Sequence, residues 1–299
     1  MSEKGEGQES KSSGCIAAGV DLGPQTEPVL AYAALLGRAA EKPVHIVYVM
    51  DFLLTPPAYL SGYLNEELRR EEEEMAAWQE RLRGTGVEAS KSVLLGRLHE
   101  SFLKMIAEER PGALVIGYES HALRPSSSER LIASLPTPML VVRGKKSLGA
   151  RIGSVVIRSI LCAVDFSDAS RQALSTAIAY GALFSAGVRV LHVIASHRIK
   201  GKRSLWERLS PAERDEMDRS LEAEARERLA RFCRECGSEQ AGEVLQGNPA
   251  TVIPQTAEAW GTDLIVMGTR GLSYVENVLI GGTAEAVLKS SPCPVLVTR

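Results

Sequence analysis

The chain has no surplus of charge: 35 Lys plus Arg stand against 37 Asp plus Glu in 299 residues, a formal net charge of −2. That balance argues against a general electrostatic affinity for nucleic acid or for an anionic membrane surface. Long hydrophobic runs are also missing. Stretches such as Ile16 to Val20 and Ile160 to Val164 fall far short of the ~20 residues that a membrane span needs. Residues 1–13 hold no apolar side chain after Met1, so they cannot be the hydrophobic region of a secretory signal and read as a disordered tail. The five cysteines are an odd number in a chain large enough to need no staples, which suits a reducing cytoplasm better than an oxidising compartment. Neither the phosphate-loop pattern GxxxxGKS/T nor the dinucleotide pattern GxGxxG occurs. The five histidines form no ligand spacing beside a carboxylate, and His45 and His192 fall within strand-like runs where structural roles are expected.

What the chain does contain is two copies of one unit. At ~150 residues per domain the length predicts two domains, and 44% apolar residues allow each a sizeable core. Ile16-Ala-Ala-Gly-Val20-Asp21 reappears as Ile160-Leu-Cys-Ala-Val164-Asp165. Ala113-Leu-Val-Ile-Gly117 reappears as Leu264-Ile-Val-Met-Gly268, and Pro136-Thr-Pro-Met-Leu-Val-Val-Arg143 as Pro292-Cys-Pro-Val-Leu-Val-Thr-Arg299. The boundary falls in Gly144 to Ala150, where glycines and polar residues interrupt two strand-like runs, giving domains 14–147 and 148–299. In each copy, short β-branched runs alternate with helical patterns, which predicts an α/β fold built on parallel sheets. For the second copy the strands are expected at 159–165, 187–194, 242–246, 263–267 and 294–298. Helices are expected at 168–184 with Ser167 as N-cap, at 212–236 with Met217, Leu221, Ala225, Leu229 and Phe232 on one face, after Asn248-Pro249, and at 283–290. Pro254 predicts a kink or a late start in the third of these.

The most informative stretch is Met267-Gly268-Thr-Arg-Gly271 through Gly281-Gly282-Thr283, which leaves a buried strand and enters a helix. Ligands of open α/β sheets bind beyond the carboxyl ends of the strands. Glycines there let backbone N–H groups approach a phosphate chain, and the helix N-terminus adds favourable partial charge. Gly281, Gly282 and Thr283 are placed for that role, and Arg270 is placed either to offer its guanidinium to a phosphate or to remain a solvated loop residue. No metal-binding carboxylate pair and no general base stand near this loop. Cys233-x-x-Cys236 has redox spacing, but it sits at a predicted helix C-terminus, where the dipole raises a thiol pKa. Glu71 to Glu74 read as a solvated helix face, and Phe52 to Leu60 as an apolar loop that packs on its own sheet edge or docks a partner.

With these residues in view, the chain resembles the universal stress protein family. Gly268-x2-Gly271-x9-Gly281 has the spacing of that family's ATP-binding signature, and Pro292 to Val297 looks like its last strand. Val164-Asp165-Phe-Ser167, Leu191-His192-Val193 and Gly247-Asn248-Pro249 are similar to family positions in the same order. The resemblance implies a Rossmann-like, five-stranded sheet of order 3-2-1-4-5 in each half, a cytoplasmic location and bound ATP, with or without Mg2+. It implies that Asp165 and Val193 border the adenosine, that Met267 and Gly268 flank the ribose and first phosphate, and that Gly271, Gly281, Gly282 and Thr283 hold the phosphates. One departure stands out: Gly282 occupies the place of the family's Ser or Thr, which removes a hydroxyl contact and leaves the backbone donors.

In the first copy Tyr118-Glu119-Ser120 replaces the second glycine region, Pro125 stands opposite Gly281, and the connection is five residues shorter (156 − 151 in the repeat offset). One nucleotide per chain is therefore expected, bound in the second copy. Family dimers commonly pair their last strands, and a tandem chain is expected to make that pairing internally as a pseudo-dimer, which removes two exposed edges; a further homodimer and an unidentified protein partner are compatible with it. The expected function is a nucleotide-responsive stress or signalling module without fast turnover. The alternatives are a slow ATPase or nucleotidyl transferase, and an interaction module that binds no nucleotide.

Overall fold

The computed structural model describes residues 14–50, 61–118, 131–132, 134–195, 209–238, 242–269 and 280–298, with the side chains of 61–65 and 67 outside that description. The first half runs β1 (Ile16–Val20), α1 (Thr26–Ala39), β2 (Val44–Met50), α2 (Ser61–Arg83), β3 (Ala89–Leu95), α3 (Leu98–Glu109), β4 (Ala113–Gly117) and β5 (Met139–Val142). The second runs β6 (Ser159–Val164), α4 (Asp168–Phe184), β7 (Gly187–Ala195), α5 (Pro211–Glu235), β8 (Glu243–Gly247), α6 (Pro249–Ala259), β9 (Leu264–Gly268), α7 (Gly282–Ser290) and β10 (Val295–Thr298).

All ten strands share one sheet in the order β3-β2-β1-β4-β5-β10-β9-β6-β7-β8. Neighbours are parallel except at the centre, where β5 and β10 run antiparallel, with Val141 opposite Val295 and Leu140 opposite Leu296. The near-continuous apolarity of β1, β4, β9 and β10 follows from this position, because helices cover both faces of the sheet. One face buries Ala18, Leu140, Cys162 and Leu296, and the other buries Ala17, Val141, Leu161 and Val295. Each of these two cores runs across both halves.

Local signals set the helix starts. Ser167 accepts from the Ser170 N–H at 3.2 Å, Ser210 and Glu213 form a capping box at α5, and the Asn248 side chain accepts from the Ala250 N–H at 3.1 Å. Two expectations need correction. Helix α6 begins at Pro249 and continues through Pro254 to Ala259, so there is no late start; Pro254 is buried in the helix and costs it one N–H donor. Met217 is 40% exposed: the buried residues of α5, Leu229, Phe232 and Cys233, all lie in its C-terminal part, so its inner face meets the core only there.

The chain crosses between the halves in residues 143–158. Lys146 donates its backbone N–H to the Pro292 carbonyl at 3.3 Å, and its Nζ reaches Asp263 Oδ1 at 2.6 Å and the Gly261 carbonyl at 2.5 Å. The other Asp263 oxygen accepts the N–H groups of Arg158 and Ser159 at 2.9 and 3.1 Å. One carboxylate thus ties both ends of the linker to the entry of β9. No helix among the described residues is long and apolar enough to cross a membrane.

Candidate nucleotide cleft

A cleft of about 140 Å³ opens beyond the carboxyl ends of β6, β7 and β9. It brings together Asp165, Val193, Met267, Gly268, Gly281, Gly282 and Thr283, residues from four separated segments of the sequence. Arg270 and Gly271 lie outside the described residues. Leu191, Val193, Ile253 and Met267 give the cleft an apolar floor. Strand β7 pairs with β6 as far as His192 and with β8 as far as Ala195, so Val193 stands past the end of β6 and faces the opening.

At the end of β6 the chain turns through Phe166, whose φ of 67° places an aromatic residue in the left-handed region. Asp165 Oδ1 holds the turn: it accepts from the Ser167 N–H at 3.1 Å, the Ser167 hydroxyl at 2.6 Å and the Ser170 hydroxyl at 2.5 Å. The first half repeats the device, with Leu22 at φ 56° and Asp21 Oδ1 accepting from the Gly23 N–H at 2.9 Å and the Thr26 hydroxyl at 3.3 Å. One oxygen of this aspartate therefore does structural work in both halves.

The two glycine positions differ in kind. A Cβ on Gly268 would lie 2.9 Å from Ala169 Cβ, so this glycine lets β9 end directly against the start of α4. Gly282 faces open space, with nothing within 4 Å of where a Cβ would be. Gly281 has an ordinary φ of −65° and donates its N–H to the Thr269 carbonyl at 2.8 Å, closing the loop between them. Thr269 is in turn fixed by its N–H and hydroxyl on the Thr298 carbonyl at 2.9 and 3.2 Å. In the second half α4, α5 and α6 each start with a side-chain cap, whereas α7 has none. Its first amides and the positive end of its dipole are thus presented to the cleft.

The sequence reading did not select Ser170, Ile253 or Thr269 as cleft residues. Ser170 carries a readable signal, standing five residues after Asp165 as Thr26 stands after Asp21. Ile253 is one turn beyond Pro249, and only the packing of α6 brings it to the floor.

Behind the cleft, the Nδ1 of His192 bonds the Val164 carbonyl at 2.9 Å, and its ring lies 4.2 Å from that of Phe166, centroid to centroid. Burial lowers the His192 pKa and the nearby Arg228 lowers it further, while the Val164 bond and Asp165 oppose the shift. His45, between the Ser90 and Ser92 hydroxyls, is also lowered by burial. Both imidazoles are thus held neutral in the fold and take up protons more readily once unfolded. Stability is expected to be fully present above the unfolded value of about 6.5 and to decline as pH falls from there towards the lowered folded values. Denaturant midpoints at about pH 7.5 and about pH 5 for the wild type and for H192N check this: the variant should lose part of the slope.

Burial raises the pKa of both Cys233 and Cys236, although the Arg171 guanidinium, 3.8 Å from Cys236 Sγ, pulls the latter down. Neither thiol has the lowered pKa of a reactive cysteine. Among the described residues no group of three or more His, Cys, Asp or Glu could hold a metal ion. The apolar loop Phe52 to Leu60 lies outside the described residues.

The family model of the universal stress proteins matches this chain twice, over residues 15–143 and 157–299. A universal stress protein of Methanocaldococcus jannaschii is 34% identical over 151 residues, which are 50% of this chain and 86% of that protein. One from Thermus aquaticus is 32% identical over 144 residues, 48% of this chain and the whole of the relative. Among solved structures, a universal stress protein from Archaeoglobus fulgidus superimposes with a TM-score of 0.69 at 20% identity, covering 96% of both chains.

Proposed function

Since this chain belongs to the universal stress protein family, we propose that its second half binds ATP in the cleft beyond β6 and β9 and acts as a nucleotide-responsive stress or signalling module. The observation that carries this reading is the uncapped start of α7 beside the open space at Gly282, in a domain whose other described helices are capped by their own side chains. Backbone donors at a helix start, free of any Cβ, are what an anionic phosphate chain requires. The adenine ring finds its apolar surface on Val193, Ile253 and Met267. Gly282 and Thr283 hold the phosphates through their N–H groups, Gly281 spends its own N–H on the Thr269 carbonyl and sets the course of the loop beside them, and the Thr283 hydroxyl stands one residue beyond the missing Ser or Thr.

Binding without fast turnover is favoured by the chemistry of the walls. Among the described residues Asp165 is the one titratable side chain lining the cleft, and its Oδ1 already receives three hydrogen bonds. A general base with one oxygen so occupied is poorly placed to activate water.

Gly282→Val is the direct test, because the protein has room for the side chain and the ligand does not. ATP affinity, measured by calorimetry, should fall at least tenfold, about 1.4 kcal/mol or more, with thermal stability unchanged. Gly281→Val should weaken binding as well. Full affinity in a folded G282V protein would remove the phosphate chain from this helix start.

A further inference from the structure

A second cavity, of about 360 Å³, lies at the junction of the two halves. It is lined by Tyr32 of α1, by Lys146, Val155, Val156 and Arg158 of the linker, and by Asp263 ahead of β9. It lies at the opposite end of β9 from Met267 and Gly268, so it is separate from the nucleotide cleft.

Its acceptors are spent and its donors are not. Asp263 gives one oxygen to Lys146 and the other to the Arg158 and Ser159 N–H groups, which neutralises the lysine within the wall. The Arg158 guanidinium has no partner among the described residues. Tyr32 is 4% exposed, and its hydroxyl likewise has no hydrogen-bond partner among them. Burial raises its ionisation well above the ordinary tyrosine value, so the phenol stays protonated and remains a donor. The phenol and the guanidinium both line the cavity, and together they offer it donors without a matching acceptor. The wall also has an apolar side: Ala150, Val155 and Val156 line it, and Val156 is 60% exposed, one of the most exposed large hydrophobic side chains among the described residues.

We propose that this junction cavity binds a small amphipathic carboxylate, with its head group on Arg158 and Tyr32 and its hydrocarbon body on Val155, Val156 and Ala150. The volume is in the range of small-molecule pockets, and a guanidinium with a phenol donor is a charge-assisted pair suited to a carboxylate. Such a ligand would bridge α1 of one half and the β9 entry of the other.

Octanoate titrated into the full chain tests this by calorimetry, with acetate as head group alone, 1-octanol as body alone and inorganic phosphate as a compact anion. Octanoate should bind saturably at one equivalent, and each of the three comparison ligands at least tenfold more weakly. Arg158→Gln and Tyr32→Phe should each weaken octanoate at least fivefold; the arginine is exposed, so its replacement leaves the core intact. Absence of saturable octanoate binding, equal binding in both variants, or phosphate binding as well as octanoate would overturn the proposal. ATP titrations of the same variants should match the wild type, which keeps this result distinguishable from that of the nucleotide cleft.

Discussion

Gly144→Ala should destabilise the whole protein by about 2–5 kcal/mol, through left-handed strain of ~1–2 kcal/mol per residue and a forced backbone shift of ~1–3 kcal/mol. The reason lies in the antiparallel seam. Val141 faces Val295 and Leu140 faces Leu296, a register in which the paired numbers sum to 436, so Gly144 comes opposite Pro292. The chain has to leave the sheet there, and it does so with φ at +84°. A Cβ on Gly144 would lie 2.3 Å from the Pro292 carbonyl carbon and 2.4 Å from its oxygen. These are backbone atoms that cannot rotate aside as the tip of a side chain can. Pro292 also accepts the Lys146 N–H, so moving it disturbs the linker and the Asp263 clamp together. Gly149→Ala is the control, since it has an ordinary φ and nothing within 4 Å of its Cβ position, and it should change stability by no more than about 0.5 kcal/mol. Denaturant titration of the two variants separates them. Equal stability would mean that the halves do not meet through this register.

Gly144 marks where the sequence stops being readable. As a glycine among polar residues it signals a break in the chain, and that much was legible; its opposition to Pro292 depends on pairing across the whole chain. The repeats were legible because each strand must be apolar on both faces, which leaves recurring runs such as Ile16 to Val20 and Ile160 to Val164. Asp165 and Asp21 were legible as strand-end residues, but their shared contact with a hydroxyl five residues on appeared only in three dimensions. From the sequence, Gly268, Gly281 and Gly282 are all expected to border the ligand. In the structure Gly268 serves close packing against Ala169, Gly281 closes a loop onto Thr269, and Gly282 alone opens onto empty space. Periodicity places Met217 on the inner face of α5, yet that face is buried only from Leu229 onward, and period alone carries no information on where a partner surface ends. Local rules give Pro254 a kink or a late start, whereas α6 starts at Pro249, five residues ahead of that proline, and buries its ring within the helix.

The two halves should differ in binding: the full chain is expected to take up one equivalent of ATP, in residues 148–299. The divergence begins where the fourth strand of each half ends. Tyr118 and Thr269 are structural equivalents, each donating its N–H to the end of its neighbouring fifth strand, Tyr118 to Val142 at 3.2 Å and Thr269 to Thr298 at 2.9 Å. Thr269 is small, its hydroxyl is turned onto Thr298, and its carbonyl receives Gly281, which leaves the space beyond β9 to the cleft. Tyr118 instead buries its ring to 5% exposure, with the Arg143 guanidinium 4.8 Å above it. A packed aromatic ring thus takes the place of a short side chain beside an opening. Further along in the sequence, the first copy has Glu119 where the second has Arg270, and Pro125-Ser126 opposite Gly281-Gly282, so it lacks the glycine pair at the start of α7 and the N–H with which Gly281 closes its loop. A charge-assisted backbone contact is typically worth ~1.5–3 kcal/mol, so a half that cannot offer the Gly282 contact is expected to bind roughly tenfold to a hundredfold more weakly. Calorimetry on the intact chain reads the count directly, and Gly282→Val assigns it. A stoichiometry near one in the wild type, with most of the heat lost in the variant, is the expected pair of results. Two equivalents in the wild type, with one of them lost in G282V, would place a nucleotide in the first half and show that Tyr118 does not close it.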